Sequence, residues 1–170
     1  MFSLRTAVTS SMGFVDNSFQ GKKVVLPCLQ YVDNLIINEV EAGALTGIEP
    51  KRENLVEIAQ KLKAYGVAER VIIHTPEMGV CVSNNGIERV PAYDLPKNFI
   101  IGTTGAGDAF CAGALLGIYQ GKTDKEILEF ASMVAVAALS KADAVSGLRT
   151  EQEIQELCRD FKRKEICLSI

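Results

Sequence analysis

Histidine is almost missing from this chain: His74 is the only one in 170 residues. With one histidine, composition alone gives no reason to expect a metal site. The five cysteines, Cys28, Cys81, Cys111, Cys158 and Cys167, are odd in number, and no pair has CxxC spacing. Several lie inside apolar runs. Such usage reads as reduced, mostly buried thiols in a cytoplasmic protein, not as a disulfide framework. Runs of lysine and arginine are also missing. The net charge is −3 and aromatic residues make up 6%, so the chain has no basic face to offer nucleic acid. The longest apolar runs, near 109–119 and 133–139, are too short to span a bilayer, and no secretory leader is read at Met1. No membrane partner is expected.

What is present is an ordinary globular balance, with 48% apolar and 23% charged residues. The length suits one domain with a real core. Short strands are expected at Leu4–Val8, Asn34–Ile37 and Arg70–His74. Asn84-Asn85-Gly86 marks a hairpin between Gly79–Ser83 and Gly86–Pro91. Gly13–Gln20 reads as a loop. Helical faces are expected over Lys22–Tyr31, where Pro27 belongs near a helix start, and over Glu39–Leu45, closed by Gly47. Another runs over Glu53–Tyr65 and is stopped by Gly66. Asn98–Ile101 leads into a glycine-rich stretch. Three helical segments follow: Ala106–Gln120, Asp124–Lys141 and Thr150–Lys162. Thr150 and Glu153 form a capping-box pattern. Strands alternating with helices, then a helical end, predict an α/β sheet covered by helices.

The stretch Gly102-Thr103-Thr104-Gly105-Ala106-Gly107-Asp108-Ala109-Phe110 is the most informative. A glycine turn entering a helix offers backbone N–H groups and a partial positive charge to an anion. A carboxylate beside that cradle is electrostatically awkward, which makes Asp108 a candidate for chemistry. On the residues alone, a plain acidic helix start explains it equally well. A Walker loop is excluded, because no lysine follows the glycines. A dinucleotide fingerprint also fails: Phe110 stands in place of the third glycine, and no second strand follows.

The run Thr103–Phe110, continued by Ala112-Gly113-Ala114-Leu115, resembles the C-terminal signature of the ribokinase-like (PfkB) carbohydrate kinases. The resemblance implies a three-layer α/β/α sandwich that uses ATP and Mg2+ to phosphorylate a small sugar-like acceptor. It implies that the amides of Gly105, Ala106 and Gly107 form an anion hole. Asp108 is then the base that takes the proton from the acceptor hydroxyl. Phosphoryl transfer suits these parts, since it needs positioning, charge stabilisation and an oriented nucleophile. One position departs from the family. Members usually carry an acid where this chain has Gly102, and in members that use a monovalent cation that acid helps hold the ion. Its absence argues against potassium activation.

Asn38-Glu39-Val40-Glu41 follows the Leu35–Ile37 strand, with Asn38 and Glu41 on one helix face. On the residues alone, an asparagine cap with Glu41 three positions on is the favoured reading. The segment through Leu45-Thr46-Gly47 also resembles the family's magnesium-nucleotide motif. That implies a role for Asn38 and Glu41 on Mg2+, largely through water. Both roles can coexist. His74-Thr75-Pro76-Glu77-Met78-Gly79 falls where many members line the nucleotide with Thr-x-Gly-x-x-Gly. Only Gly79 matches, and His74 reads as a strand-end residue. The small residues of Ala131–Ala138 fall where the family packs adenine, and plain helix packing explains them equally well.

The resemblance covers only the C-terminal part of the family pattern. Its N-terminal strands, its β lid and most sugar-gripping residues have no counterpart in Met1–Ile170. The chain therefore reads as one truncated nucleotide-binding α/β domain. Three readings stand: the nucleotide half of a carbohydrate kinase, a non-catalytic nucleotide-binding or regulatory module, or a fragment that needs a partner chain. A homodimer, or pairing with a missing N-terminal half, would cover the exposed sheet.

Overall fold

Parallel strands buried on both faces read as unbroken apolar runs. Leu35-Ile36-Ile37 and Val71-Ile72-Ile73 are such runs, and Ile36 and Ile72 are both 0% exposed. The computed structural model of the chain describes residues 6–8 and 19–166. In chain order the elements are β1 (Thr6–Val8), α1 (Phe19–Cys28), β2 (Asn34–Asn38), α2 (Glu39–Thr46), α3 (Leu55–Ala64), β3 (Arg70–His74), β4 (Met78–Ser83), β5 (Gly86–Pro91), α4 (Ala106–Tyr119), α5 (Asp124–Leu139) and α6 (Glu151–Cys158). The five described strands form one sheet in the order β1-β2-β3-β4-β5. The chain divides into two compact units. One runs through Thr75 and includes Val80–Arg89, and the other takes Pro76–Gly79 and the chain from Val90 on.

In the first unit β1, β2 and β3 are parallel, with Thr6 opposite Asn34, Asn34 opposite Arg70 and Asn38 opposite His74. A one-residue slip would turn every apolar side chain to the wrong face, so this register needs a marker. Asn34 supplies one: it is buried, and its Oδ1 accepts a 2.7 Å hydrogen bond from the Arg70 guanidinium. Gly47 takes the left-handed conformation expected at a helix end, with φ 73°, and Lys61 Nζ donates to the Thr46 carbonyl at 2.9 Å.

The second unit is built around α4, α5 and α6. Ala109, Phe130, Val134, Ala137, Ala138 and Ile154 form its buried cluster. The backbones of α4 and α5 approach closely: a Cβ on Gly113 would lie 2.9 Å from the Ala131 Cα. Two capping boxes start α5 and α6. Thr123 and Thr150 each accept from the backbone N–H three residues on, and Glu126 and Glu153 accept from them in return. Thr123 and Glu126 stand at the same Thr-x-x-Glu spacing as Thr150 and Glu153, so the α5 box too is written in the sequence.

Glu126 and Glu153 are held below the usual carboxylate range, first by the threonine hydroxyl and then by the same residue's backbone N–H. Because both folded values lie below the ordinary 4.5, the native state binds fewer protons than the unfolded chain there. Both carboxylates therefore stabilise the fold above that value, and the contribution disappears as pH falls through the lowered ones. Urea midpoints measured between about pH 6 and about pH 3 should fall more steeply in the wild type than in a Thr123→Ala/Thr150→Ala double variant. Parallel curves would rule out this linkage.

Two helices depart from their expected bounds by more than two residues. The helix at Lys22–Tyr31 starts earlier, at Phe19, so Phe19 and Gln20 belong to α1; residues 13–18 of the expected loop lie outside the described residues. Pro27 sits in the last turn of α1, where its missing N–H ends the helix ladder, and a 3-10 turn, Leu29–Tyr31, follows. The expected strand at Leu4–Val8 is present over Thr6–Val8, and Leu4 and Arg5 lie outside the described residues. The last helix stops at Cys158, not Lys162. The backbone beyond it is engaged elsewhere: Asp94 donates to the Lys162 carbonyl and Lys164 donates to the Ala92 carbonyl, both at 2.8 Å. Arg163 adds a guanidinium stacked 4.1 Å from the Tyr93 ring centre and a hydrogen bond to the Pro91 carbonyl.

Candidate functional site

The glycine turn lies in the second unit. Gly105 is the N-cap residue of α4, with φ 79°, a conformation that an L side chain adopts only under strain. No side chain caps this helix, in contrast to α5 and α6. The turn closes through backbone alone: Ala106 donates to the Thr103 carbonyl at 3.3 Å and Ala109 to the Gly105 carbonyl at 2.8 Å. An uncapped N-terminus directs its first amides and its positive dipole end outward. Asp108 lies in that first turn and is exposed, as are Thr103 and Thr104, while Gly105, Ala106 and Gly107 are half-buried.

The inner side of the turn is packed on backbone. A Cβ at Gly102 would come within 2.9 Å of the Ala142 Cα and of the Lys141 carbonyl oxygen. At Gly105 it would lie 2.5 Å from the Ala144 Cβ. Ile101 N–H donates to the Leu139 carbonyl at 2.9 Å, which ties the approach to the turn onto the end of α5. Gly79 belongs to the same unit and is buried. A Cβ there would meet Leu128 Cδ2 at 3.1 Å and Phe110 Cζ at 3.4 Å. The structure thus brings Gly79 against Phe110, two positions after Asp108. Nothing in the sequence signals that pairing, because it depends on how β4 meets α4.

Asn38 and Glu41 lie in the first unit, at the junction of β2 and α2. Asn38 Oδ1 accepts from the Glu41 N–H at 2.8 Å, so the expected cap is formed. Glu41 is only 6% exposed. Glu39 beside it is half-buried, and burial pushes its carboxyl above the usual range, with the neighbouring Glu41 charge adding to the rise. The pair offers one amide oxygen and one carboxylate. That donor set suits Mg2+, which keeps several waters, and it does not amount to an all-protein cage. Among the described residues, no group of three or more His, Cys, Asp or Glu could hold a metal ion directly. His74 ends β3 in register with Asn38, as a strand-end residue. The Ala131–Ala138 stretch lies within α5, and Ala131, Ala137 and Ala138 are buried.

Over 132 residues the chain is 33% identical to ribokinase of Haemophilus influenzae, covering 75% of this chain and 41% of that protein. It is 32% identical to adenosine kinase 1 of Arabidopsis thaliana over 125 residues, covering 68% of this chain and 36% of the relative. The chain spans about two fifths of the length of these curated relatives. Among solved structures, a sugar kinase of Clostridium perfringens, described as putative, superposes with a TM-score of 0.70 at 17% identity, over 86% of this chain and 46% of its own. Ribokinase of Arabidopsis thaliana complexed with ribose and ATP gives 0.66 at 24% identity, over 76% and 41%. These likenesses show the fold: ribokinase-like α/β, in part. The pattern of the pfkB family carbohydrate kinases matches residues 4–151, and the chain belongs to that family.

Proposed function

We propose that the chain is the nucleotide-binding part of an ATP-dependent kinase that phosphorylates a hydroxyl of a sugar or nucleoside. The observation that carries this reading is the exposed Asp108 in the first turn of α4, beside the left-handed, uncapped Gly105. The amides of Gly105 and Gly107, with that of Ala106 shared with the Thr103 carbonyl it meets at 3.3 Å, donate to the oxygens of the transferring phosphoryl group, where charge develops. Asp108 accepts the proton of the attacking hydroxyl and holds that oxygen in line. In the first unit Asn38 and Glu41 act on Mg2+ through its waters. The metal supplies charge neutralisation at the nucleotide phosphates. Gly79 supports the site from inside, through Phe110, and any contact it makes with nucleotide is through backbone. The work is placed in the cytoplasm, a reading that rests on five cysteines, odd in number and without CxxC spacing.

No monovalent cation is assigned. The Lys141 and Ala142 backbone lies within 2.9 Å of where a Cβ at 102 would sit, which supports glycine at this position. The acceptor class rests on relatives named ribokinase, adenosine kinase and cytidine kinase. A second reading is nucleotide binding without turnover until another polypeptide completes the acceptor site. Titration of the purified chain with Mg-ATP, followed by an ATP-consumption assay with a panel of sugars and nucleosides, separates the two. Binding with turnover establishes the kinase in this chain. Binding without turnover selects the module, and no binding sinks both.

A further inference from the structure

We infer that Asp143 is a positioning residue for the glycine turn, holding the 141–147 loop in the shape that braces Gly102 and Gly105. Its Oδ1 accepts from the Val145 N–H at 2.9 Å and from the Ser146 N–H at 2.6 Å. These two bonds straddle Ala144, the residue against which Gly105 packs. The loop is anchored at both ends on α5. Ser140 Oγ donates to the Ala137 carbonyl at 2.7 Å, and a Cβ on Gly147 would run into that same carbonyl. Between these anchors apolar burial does little, since Val145 is 68% exposed. The Asp143 hydrogen bonds close the loop around Ala144, and the Leu148 N–H closes the next turn on the Val145 carbonyl at 3.0 Å.

The consequence for the turn is mechanical. Gly105 has no side chain of its own to hold φ at 79°, and no capping side chain holds it from the helix. Ala144 fills the space behind it. Loosening Ala144 releases the direction of the Gly105, Ala106 and Gly107 amides, and a hydrogen-bond donor misdirected by even a little loses much of its effect. The brace itself stands on geometry within one unit. Its effect on nucleotide rests on the kinase reading above.

The test uses the full chain with Asp143→Ala, Asp143→Asn and Ala144→Gly, read by amide NMR shifts, Mg-ATP calorimetry and thermal melting. Asp143→Ala should move the Gly102, Gly105 and Ala106 resonances and weaken Mg-ATP about tenfold, as expected for two lost hydrogen bonds. Asp143→Asn keeps an Oδ1 acceptor and should match the wild type in both. A merely structural contribution would lower the melting temperature without moving those three resonances. The inference is overturned if they stay put in Asp143→Ala, or if Asn behaves as Ala does. Should Asp143→Ala fail to fold, Ala144→Gly must shift the same resonances, and unmoved resonances there count equally against the brace. If the wild type binds no Mg-ATP, the kinase reading fails, and the resonances still decide the brace.

Discussion

Asp108→Asn should abolish phosphoryl transfer in any assembly of this chain that turns over, while Mg-ATP affinity stays at the wild-type level. Asparagine has nearly the shape of aspartate and is tolerated in a first helical turn, so the α4 start should survive the change. What is lost is the proton acceptor. A positioned general base contributes roughly 10²–10⁴-fold to a rate, so kcat should fall by about that factor. Asp108 is also a carboxylate beside amides that serve an anion, and removing its charge lowers repulsion toward the nucleotide phosphates. Affinity measured by calorimetry should therefore hold or rise slightly. A variant that keeps wild-type turnover would remove Asp108 from the base role, whereas joint loss of binding and turnover would recast it as a structural residue of the turn.

Gly105→Ala should strongly destabilise the second unit. The left-handed backbone costs a side-chain-bearing residue about 1–2 kcal/mol. The added Cβ would lie 2.5 Å from the Ala144 Cβ and 2.6 Å from its Cα, and backbone cannot move aside as a flexible side chain can. Forcing such a contact typically costs a further ~1–3 kcal/mol. Urea unfolding should register a loss of roughly 2–5 kcal/mol from these two causes together. The Mg-ATP affinity of the molecules that remain folded should fall as well, because the turn must re-form around the new methyl. A Gly121→Ala control separates strain from crowding. Gly121 also has positive φ, at 69°, but no heavy atom lies within 4 Å of the Cβ position. Equal losses at both sites would refute the crowding by Ala144.

Much of the architecture was legible because it is local. The apolar triplets of β2 and β3, the Asn84-Asn85 hairpin, the Gly47 stop and the Thr150 box each rest on residues within a few positions of one another. The end of α6 moved because its continuation has a distant competitor. Lys162 and Lys164 pair with Asp94 and Ala92, some seventy residues away, and no window over the C-terminal helix contains that information. The candidate site divides in the same way. Thr103–Phe110 marks a turn and an acid by composition and order, and the Asn38 cap follows from its spacing to Glu41.

The sequence by itself determined that a glycine turn with Asp108 opens a long apolar helix, and that the chain reads as part of a carbohydrate kinase. Each is carried by residue identity and short spacing, which are written along the chain. Only the tertiary structure decided what lies behind the turn. It set Ala144 against Gly105, the Lys141–Ala142 backbone against Gly102, and Phe110 over Gly79. Those contacts arise from the packing of α4, α5 and the 141–147 loop, and packing is a property of surfaces that meet only once the chain has folded.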